Sequence, residues 1–115
     1  MTHVPETFMV LAEVAEERRR QIEKGYDADH DDQRTGDELA LAGACYASRE
    51  PLFQVSFVRE MGSHPFKLAW PFTEQEDNRE TYSYRRRLVI AAAFLVAEAE
   101  RVDRYMNEAS ANVDA

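Results

Sequence analysis

Cysteine, glycine and long hydrophobic runs are all scarce in this chain. Its 115 residues include one cysteine, Cys45, and four glycines. A single cysteine forms no internal disulfide, and scattered glycines do not build a phosphate-binding loop. The longest apolar run, 88–97, covers about half of the ~20 residues that a transmembrane helix needs. No signal peptide with a basic and then an apolar segment opens the sequence, so we expect a cytoplasmic protein that does not enter a membrane.

Basic residues are also in short supply. The chain has 14 lysines and arginines against 22 acids, a formal net charge of -8 at pH 7. A field of this sign repels nucleic-acid phosphates and anionic lipids, and it favours a protein partner with a basic surface, a cation, or simple solubility as its role. Residues 81–115 are the exception, because there five acids face five bases. We therefore expect any acidic recognition surface in the first two thirds of the chain.

The length suits a single domain, which we place at residues 1–107, with a flexible tail at 108–115. Five apolar residues near the start recur at helical spacing and predict a first helix over 5–24. Gly25 is well placed to end this helix. The apolar residues are Phe8, Leu11, Ala12, Ala15 and Ile22.

A second helix is predicted by a capping box, in which the side chains of Thr35 and Glu38 satisfy free amides at the helix start. This helix buries Leu39, Ala42, Gly43 and Tyr46, and it ends before Pro51. The polar segment 26–34, which separates the two helices, is expected to be an exposed loop.

A third helix is predicted at about 81–107, with one apolar stripe toward the core. The stripe consists of Leu88, Ala91, Ala92, Leu95, Ala99, Val102 and Met106. Three arginines, 85–87, stand at the start of this helix, where a cation opposes the helix dipole. We expect them to pair with carboxylates of another element, and phosphate binding is the second interpretation.

Residues 50–80 are rich in proline and aromatic residues and are predicted to form a long loop or a short hairpin. Three aromatic side chains, Phe66, Trp70 and Phe72, are expected to pack back onto the helices. A helical turn is predicted at Thr73–Glu76. The fold class is therefore all-α, a small bundle of three main helices with one long loop.

The candidate site residues are mostly acids of the first half of the chain. Those on the first helix are Glu13, Glu16 and Glu17, and those after it are Asp29, His30, Asp31, Asp32, Asp37 and Glu38. They are expected to form an acidic binding face and loop that recognises a partner, and they are alternatively ligands for a hard cation, or salt-bridge partners and helix caps. Cys45 has no histidine nearby to activate it, so we expect a buried structural thiol.

Four segments together resemble the MazG-like all-α nucleotide pyrophosphohydrolases, in particular small phage and prophage versions. They are Glu17-Arg18-x-x-Gln21-x-x-Lys24-Gly25, the His30-Asp31-Asp32 segment, the helix with Glu38, and Glu100-Arg101-Val102-Asp103-Arg104. The resemblance implies a helical bundle, often dimeric, in which carboxylates hold magnesium and a bound water attacks a nucleoside triphosphate.

The ligand positions of that family are incomplete in this sequence. The first pair falls on Asp37 and Glu38, but the remaining positions fall on Leu41, Arg87 and Ile90. Magnesium needs several oxygen ligands, which an aliphatic or a guanidinium group does not supply. We expect Arg87 to take the place of the cation by pairing with Glu38 or Asp37.

These observations favour a non-enzymatic phage or mobile-element type of protein that binds a host protein, for instance an anti-CRISPR or anti-restriction inhibitor. One alternative is a divergent pyrophosphohydrolase, which would need Mg²⁺, with ligands from Glu13, Glu16 or Asp31. The other is a nucleotide-binding sponge, with Arg86 or Arg87 on the phosphates and Trp70 or Tyr46 against the base. No cofactor is expected under the first interpretation. A homodimer through the small residues 91–93 is a further expectation.

Overall fold

The computed structural model describes residues 5–48, 70–73 and 76–114. These residues form four α-helices and no strand. The helices are α1 (Glu6–Glu23), α2 (Ala28–Asp31), α3 (Glu38–Ala47) and α4 (Tyr84–Asp114), with a 3₁₀ turn at Arg79–Thr81 before α4. The predicted all-α bundle is confirmed. Most of the predicted loop or hairpin at 50–80 lies outside the described residues. In the described ranges, no helix has both the length and the apolar content to cross a bilayer.

The main core forms between α3 and α4. Leu39, Ala42 and Cys45 of α3 are fully buried against apolar residues of α4. Gly43 allows this close packing, because a Cβ at that position would lie 3.2 Å from the backbone oxygen of Ala91. The predicted burial of the α3 face and of the Cys45 thiol is therefore confirmed.

Two aromatic side chains that precede α4 cover this core, as predicted. Trp70 is buried and Phe72 is partly buried against the same cluster. The indole of Trp70 donates a hydrogen bond to the backbone oxygen of Thr73 at 3.0 Å. The amide of Glu76 bonds to that same residue's backbone oxygen, also at 3.0 Å, which closes a single turn. Phe66 lies outside the described residues.

Helix α1 has nearly the predicted bounds, but it faces the core with the opposite side. It ends as predicted before Gly25, whose φ of 113° suits glycine. Its buried residues are Val14, Glu17, Arg18 and Gln21, whereas Phe8 is 62% and Leu11 55% exposed. The apolar residues that predict this helix therefore do not form its buried side. The charged residues of this side are buried because α2 and α4 supply partners for Arg18, and α4 supplies one for Glu17.

The predicted stripe of α4 is also largely wrong. Only Ala91 of that stripe is buried, and Leu95 and Met106 are 52% and 58% exposed. The residues that pack on α3 and α1 are instead Val89, Ile90, Ala91, Ala93, Phe94 and Ala97. The helix begins three residues later and ends seven residues later than the predicted 81–107. The predicted flexibility of residues 108–115 stays a prediction.

The segment between α1 and α3 differs from the predicted exposed loop. It contains the short helix α2, which Asp27 caps by accepting a hydrogen bond from the His30 amide at 3.0 Å. The predicted capping box does not form, because Asp37 occupies the N-cap position of α3 without a capping bond. The Glu38 carboxylate accepts instead from the Gly36 amide at 2.9 Å.

Candidate functional site

Arg18 joins α1 to α2 and α4. Its guanidinium donates to Asp31 at 3.0 Å, to Glu100 at 2.8 Å and to the backbone oxygen of Tyr26 at 2.9 Å. Asp31 is fully buried, and its other carboxylate oxygen lies 2.9 Å from Nδ1 of His30. A buried carboxylate needs such partners, because desolvation of an unpaired charge is costly. The Asp31 carboxylate therefore stabilises the packing of the helices.

Most of the other predicted acidic residues are also paired with arginines. The pairs are Glu13–Arg85, Glu16–Arg19, Glu17–Arg20, Glu17–Arg86 and Asp32–Arg104. The expected pairing of the arginines at the start of α4 with another element is thus confirmed for Arg85 and Arg86. The hydrogen bond from Arg85 lowers the pKa of Glu13, and that from Arg19 lowers the pKa of Glu16.

The remaining predicted acids lie apart from this network. Asp29 and Asp37 are exposed, and neither has an arginine partner among the residues that the structure describes. Asp37 has the left-handed φ of 68°. In the described ranges, no group of three or more acids, histidines or cysteines is arranged to hold a metal ion.

The positions implied by the resemblance do not fit a magnesium site. Ile90 is 5% exposed in the main core, and Leu41 is partly buried against that core. The guanidinium of Arg87 lies over the Tyr84 ring, 5.6 Å from its centroid. The expected pairing of Arg87 with Glu38 or Asp37 stays a prediction. The side chains of Leu41, Ile90 and Arg87 supply no oxygen ligand for magnesium, and this holds whether or not the two acids bind the ion.

A pocket of about 280 Å³ opens between α1, α3, α4 and the segment before α4. Aromatic rings form much of its wall: Tyr26, Tyr46, Trp70, Tyr82 and Phe94. Tyr46 stacks on Phe94 with ring centroids 5.7 Å apart, and Trp70 meets Tyr46 edge-on at the same distance. These contacts hold three rings of the wall in fixed orientations.

The polar part of the pocket lining comes from two segments that are distant in sequence. Gln21 lies in α1 and Lys24 caps its C-terminus, and Glu76 and Asn78 lie in the segment before α4. Gln21 is only 4% exposed, and neither its amide nitrogen nor its amide oxygen has a hydrogen-bond partner within the part of the chain that the structure describes. Buried amides are nearly always bonded, so this one is an unusual feature of the pocket.

Two tyrosines of the pocket, Tyr26 and Tyr46, keep their protons. Desolvation raises the pKa of both Tyr26 and Tyr46 above the ordinary value, and for Tyr26 a hydrogen bond to Glu76 raises it further. That bond runs from the hydroxyl to the carboxylate at 3.0 Å. The two hydroxyls are thus neutral donors rather than phenolates near neutral pH.

Sequence reasoning found only part of this pocket. It named Tyr46 and Trp70 as rings that would lie against a base, and both line the pocket. It missed Gln21, because that residue lies on the side of α1 that the apolar pattern assigns to solvent. Its burial depends on contacts with segments distant in sequence, which the local pattern of α1 does not reveal.

No family model matches the chain, and no curated protein or solved structure matches it either.

Proposed function

We propose that this chain is a non-enzymatic binding protein whose pocket takes a small, uncharged, planar heteroaromatic compound of the nucleobase or nucleoside class. The buried, unbonded amide of Gln21 carries the proposal. The volume of about 280 Å³ lies just below the range for drug-sized ligands, roughly 300–1,000 Å³, and so suits a smaller molecule. A flat ligand suits walls made of aromatic rings, which favour stacked and edge-on contacts.

The amide of Gln21 supports a ligand with a donor beside an acceptor. Leaving a buried polar group without a partner costs about 1–3 kcal/mol. A glutamine amide presents one donor side and one acceptor side, which is the pattern that reads an adenine edge through two parallel hydrogen bonds. A base that forms both bonds relieves the cost, so part of the binding energy comes from Gln21 itself.

The charges around the pocket argue against a polyphosphate. Glu17 and Glu76 line it, and Lys24 is its one cationic lining residue among those described. Arg86, expected at the phosphates, already donates to Glu17. The carboxylates repel a triphosphate, so a base or nucleoside is expected to bind more tightly than its nucleotide. The predicted phosphate contacts of Arg86 and Arg87 stay predictions.

Thermal shift and calorimetry with matched bases, nucleosides and nucleotides test the proposal. A ligand at 100 times its dissociation constant stabilises the protein by about 2.7 kcal/mol. Gln21→Leu keeps the side-chain size and removes both hydrogen bonds, so the affinity is expected to fall at least ~10-fold. The unliganded variant should be as stable as the parent or more stable, because no buried amide is left unbonded.

Gln33→Leu is the matched control, since Gln33 is exposed and lies outside the pocket. It should bind the ligand as the parent does. Absence of binding by every base and nucleoside would contradict the proposal. Equal binding by Gln21→Leu and the parent would show that the amide does not read the ligand, and tighter binding of the triphosphate would contradict the charge argument.

Binding of a host protein with a basic surface is the second candidate, and an anti-CRISPR or anti-restriction inhibitor is its phage-type form. The net charge of -8 favours it, together with the exposed carboxylates of Asp29 and Asp37. Binding should weaken steeply with added salt and compete with nucleic acid. Reversing these two charges, as Asp29→Lys and Asp37→Lys, should weaken it most. Salt-insensitive binding would argue against this candidate.

A divergent pyrophosphohydrolase is supported least. Its substitute ligands would be Glu13, Glu16 and Asp31, and each of these carboxylates is bonded to an arginine. Freeing them for a cation would break three ion pairs, one of which is buried. Release of pyrophosphate from a nucleoside triphosphate at an enzyme-like rate, with magnesium or manganese added, would overturn this ranking.

A further inference from the structure

Tyr26 and Glu76 form a hydrogen-bonded pair in the lining of the pocket. The hydroxyl of Tyr26 donates its single proton to Oε2 of Glu76 at 3.0 Å. Burial raises the pKa of Tyr26, so the hydroxyl keeps this proton at neutral pH. A hydroxyl has one proton to donate and two lone pairs that accept. Toward a ligand, the Tyr26 oxygen is therefore an acceptor only.

The carboxylate of Glu76 adds a second acceptor to this part of the lining. Its other oxygen, Oε1, has no hydrogen-bond donor within the part of the chain that the structure describes. A carboxylate accepts hydrogen bonds and donates none. Glu17, which also lines the pocket, differs because Arg20 and Arg86 already donate to it. Glu76 is thus the acid of the lining that has no cationic partner among the described residues.

Two neighbouring acceptors favour a ligand group that only donates. The exocyclic amino group of a base carries two N–H donors, and these match the oxygens of Tyr26 and Glu76. A carbonyl oxygen at the same place carries lone pairs only, so it is repelled by the carboxylate. It also leaves both protein oxygens without a donor, which costs free energy in a pocket that excludes water.

Gln21 does not distinguish an amino group from a carbonyl oxygen. Its amide presents one donor and one acceptor, and a half turn of the amide exchanges the two. One orientation matches the amino group and ring nitrogen of adenine. The other matches the carbonyl oxygen and ring N–H of hypoxanthine. The choice between these two bases therefore falls to Tyr26 and Glu76.

The remaining polar groups of the lining discriminate less than this pair. Lys24 and Asn78 are exposed, whereas Tyr26 and Glu76 are half-buried. A hydrogen bond to an exposed group replaces one to water, so its net contribution is small. The hydroxyl of Tyr46 has no such bias either, because it can donate as well as accept.

We propose that the pocket selects bases that carry an exocyclic amino group over their oxo counterparts, and that Glu76, oriented by Tyr26, recognises the amino group. Adenine and cytosine belong to the favoured class, and hypoxanthine and uracil to the disfavoured one. The inference rests on the proposed function, since it requires that a base or nucleoside enters the pocket. Gln21 then contributes affinity for either class, and Glu76 determines the specificity.

Calorimetry of the full chain with nucleosides that differ at one ring position tests the specificity. Adenosine carries an amino group there, purine riboside a hydrogen atom and inosine a carbonyl oxygen. The expected order of affinity is adenosine, then purine riboside, then inosine, with adenosine at least ~10-fold tighter than inosine. Purine riboside only loses the hydrogen bonds, whereas inosine adds repulsion. Cytidine should likewise bind more tightly than uridine.

Glu76→Gln tests the assigned residue. The amide has nearly the size of the carboxylate but can also donate, so inosine should bind better and the adenosine-to-inosine ratio should fall toward one. Glu108→Gln is the matched control, because it removes the same charge from an exposed position outside this pocket. It should keep the ratio of the parent. If Glu76→Gln does not fold, the three purine nucleosides on the parent still decide the proposal.

The outcomes separate this inference from the proposed function. Equal affinity of the parent for adenosine and inosine would overturn the amino-group selectivity, while their binding would support the proposed function. An unchanged ratio in Glu76→Gln would overturn the assignment to Glu76. No binding by any nucleoside would overturn both, because no base then enters the pocket. The two nucleosides have nearly the same shape, so a general loosening of the fold would weaken both and leave their ratio unchanged.

Discussion

Helices α1 and α3 bury opposite kinds of side chain. Helix α3 presents Leu39, Ala42 and Cys45 to the core, and its pattern predicts this side. Helix α1 presents Glu17, Arg18 and Gln21, and it leaves its larger apolar residues at the surface. Both helices pack against α4. They differ in the partners that α4 supplies to their buried side chains, which are apolar for α3 and charged for α1.

The comparison teaches that an apolar stripe predicts a helix more securely than it predicts the side that faces the core. A buried polar side is tolerated when each charge has a partner. On α1 the partners come from far along the chain, for example Glu100 for Arg18. The apolar side of α1 is then left exposed at the surface.

The largest expected effect is that of Arg18→Met. The change removes the buried pair with Asp31, which is fully buried, and leaves that carboxylate without its cation. Breaking such a pair from one side costs about 3–5 kcal/mol. We therefore expect a loss of this size in the free energy of unfolding, measured by urea denaturation with fluorescence of Trp70.

Two further variants show whether the buried charge is the cause. Arg18→Met together with Asp31→Leu should recover much of the lost stability, because neither charge remains buried alone. Arg19→Met is the surface control, since Arg19 pairs only with exposed Glu16 and Glu23 in the described part of the chain. A similar loss in this control and in Arg18→Met would remove the distinction between the two sides of α1.

The contrast between α1 and α3 also shows which features of the fold can be predicted from the sequence. The ends of α1 and α3 follow from local signals such as Gly25 and Pro51, and the apolar face of α3 follows from its composition. The buried side of α1 does not, because Arg18 and Glu100 are 82 residues apart. The pocket was anticipated through Tyr46 and Trp70, whereas Gln21 was hidden on a side that the pattern assigns to solvent.

An intermediate effect on stability is expected at alkaline pH, and it arises from Cys45 of α3. Burial raises the pKa of Cys45 above its ordinary value of 9.0. The unfolded chain therefore loses this proton first as the pH rises. Stability from the neutral thiol is complete below the unfolded pKa and is lost as the pH rises toward the folded pKa. We expect urea midpoints that are level to about pH 8.5 and then decline.

Cys45→Ala isolates the thiol. The variant should be less stable at neutral pH, because it leaves a small cavity in the core, but its midpoint should decline less between about pH 8.5 and 10. Above the ordinary value of 10.0 the buried hydroxyl of Tyr46 adds a second decline in both proteins. Parallel curves for the parent and Cys45→Ala below that point would show that the thiol does not contribute.

The smallest expected effect on stability occurs at acid pH, and it arises from Glu13 of α1. The hydrogen bond from Arg85 lowers the pKa of Glu13 below its ordinary value of 4.5. Stability from this pair is therefore present above the unfolded pKa and is lost as the pH falls through the folded one. Glu13→Gln should therefore be slightly less stable than the parent at pH 7, and the two curves should converge as the pH falls below about 4.5, where the parent loses the same contribution.

Salt distinguishes this exposed pair from the buried one on the same helix. The side chains of Glu13 and Arg85 are 44% and 64% exposed, so added salt should screen their attraction and reduce the difference between Glu13→Gln and the parent. The cost of Arg18→Met should persist in the same salt, because the Arg18–Asp31 pair is shielded from solvent. If salt reduced both effects equally, the buried side of α1 would be as accessible to salt ions as its exposed side. Helices α1 and α3 would then differ only in their amino-acid composition.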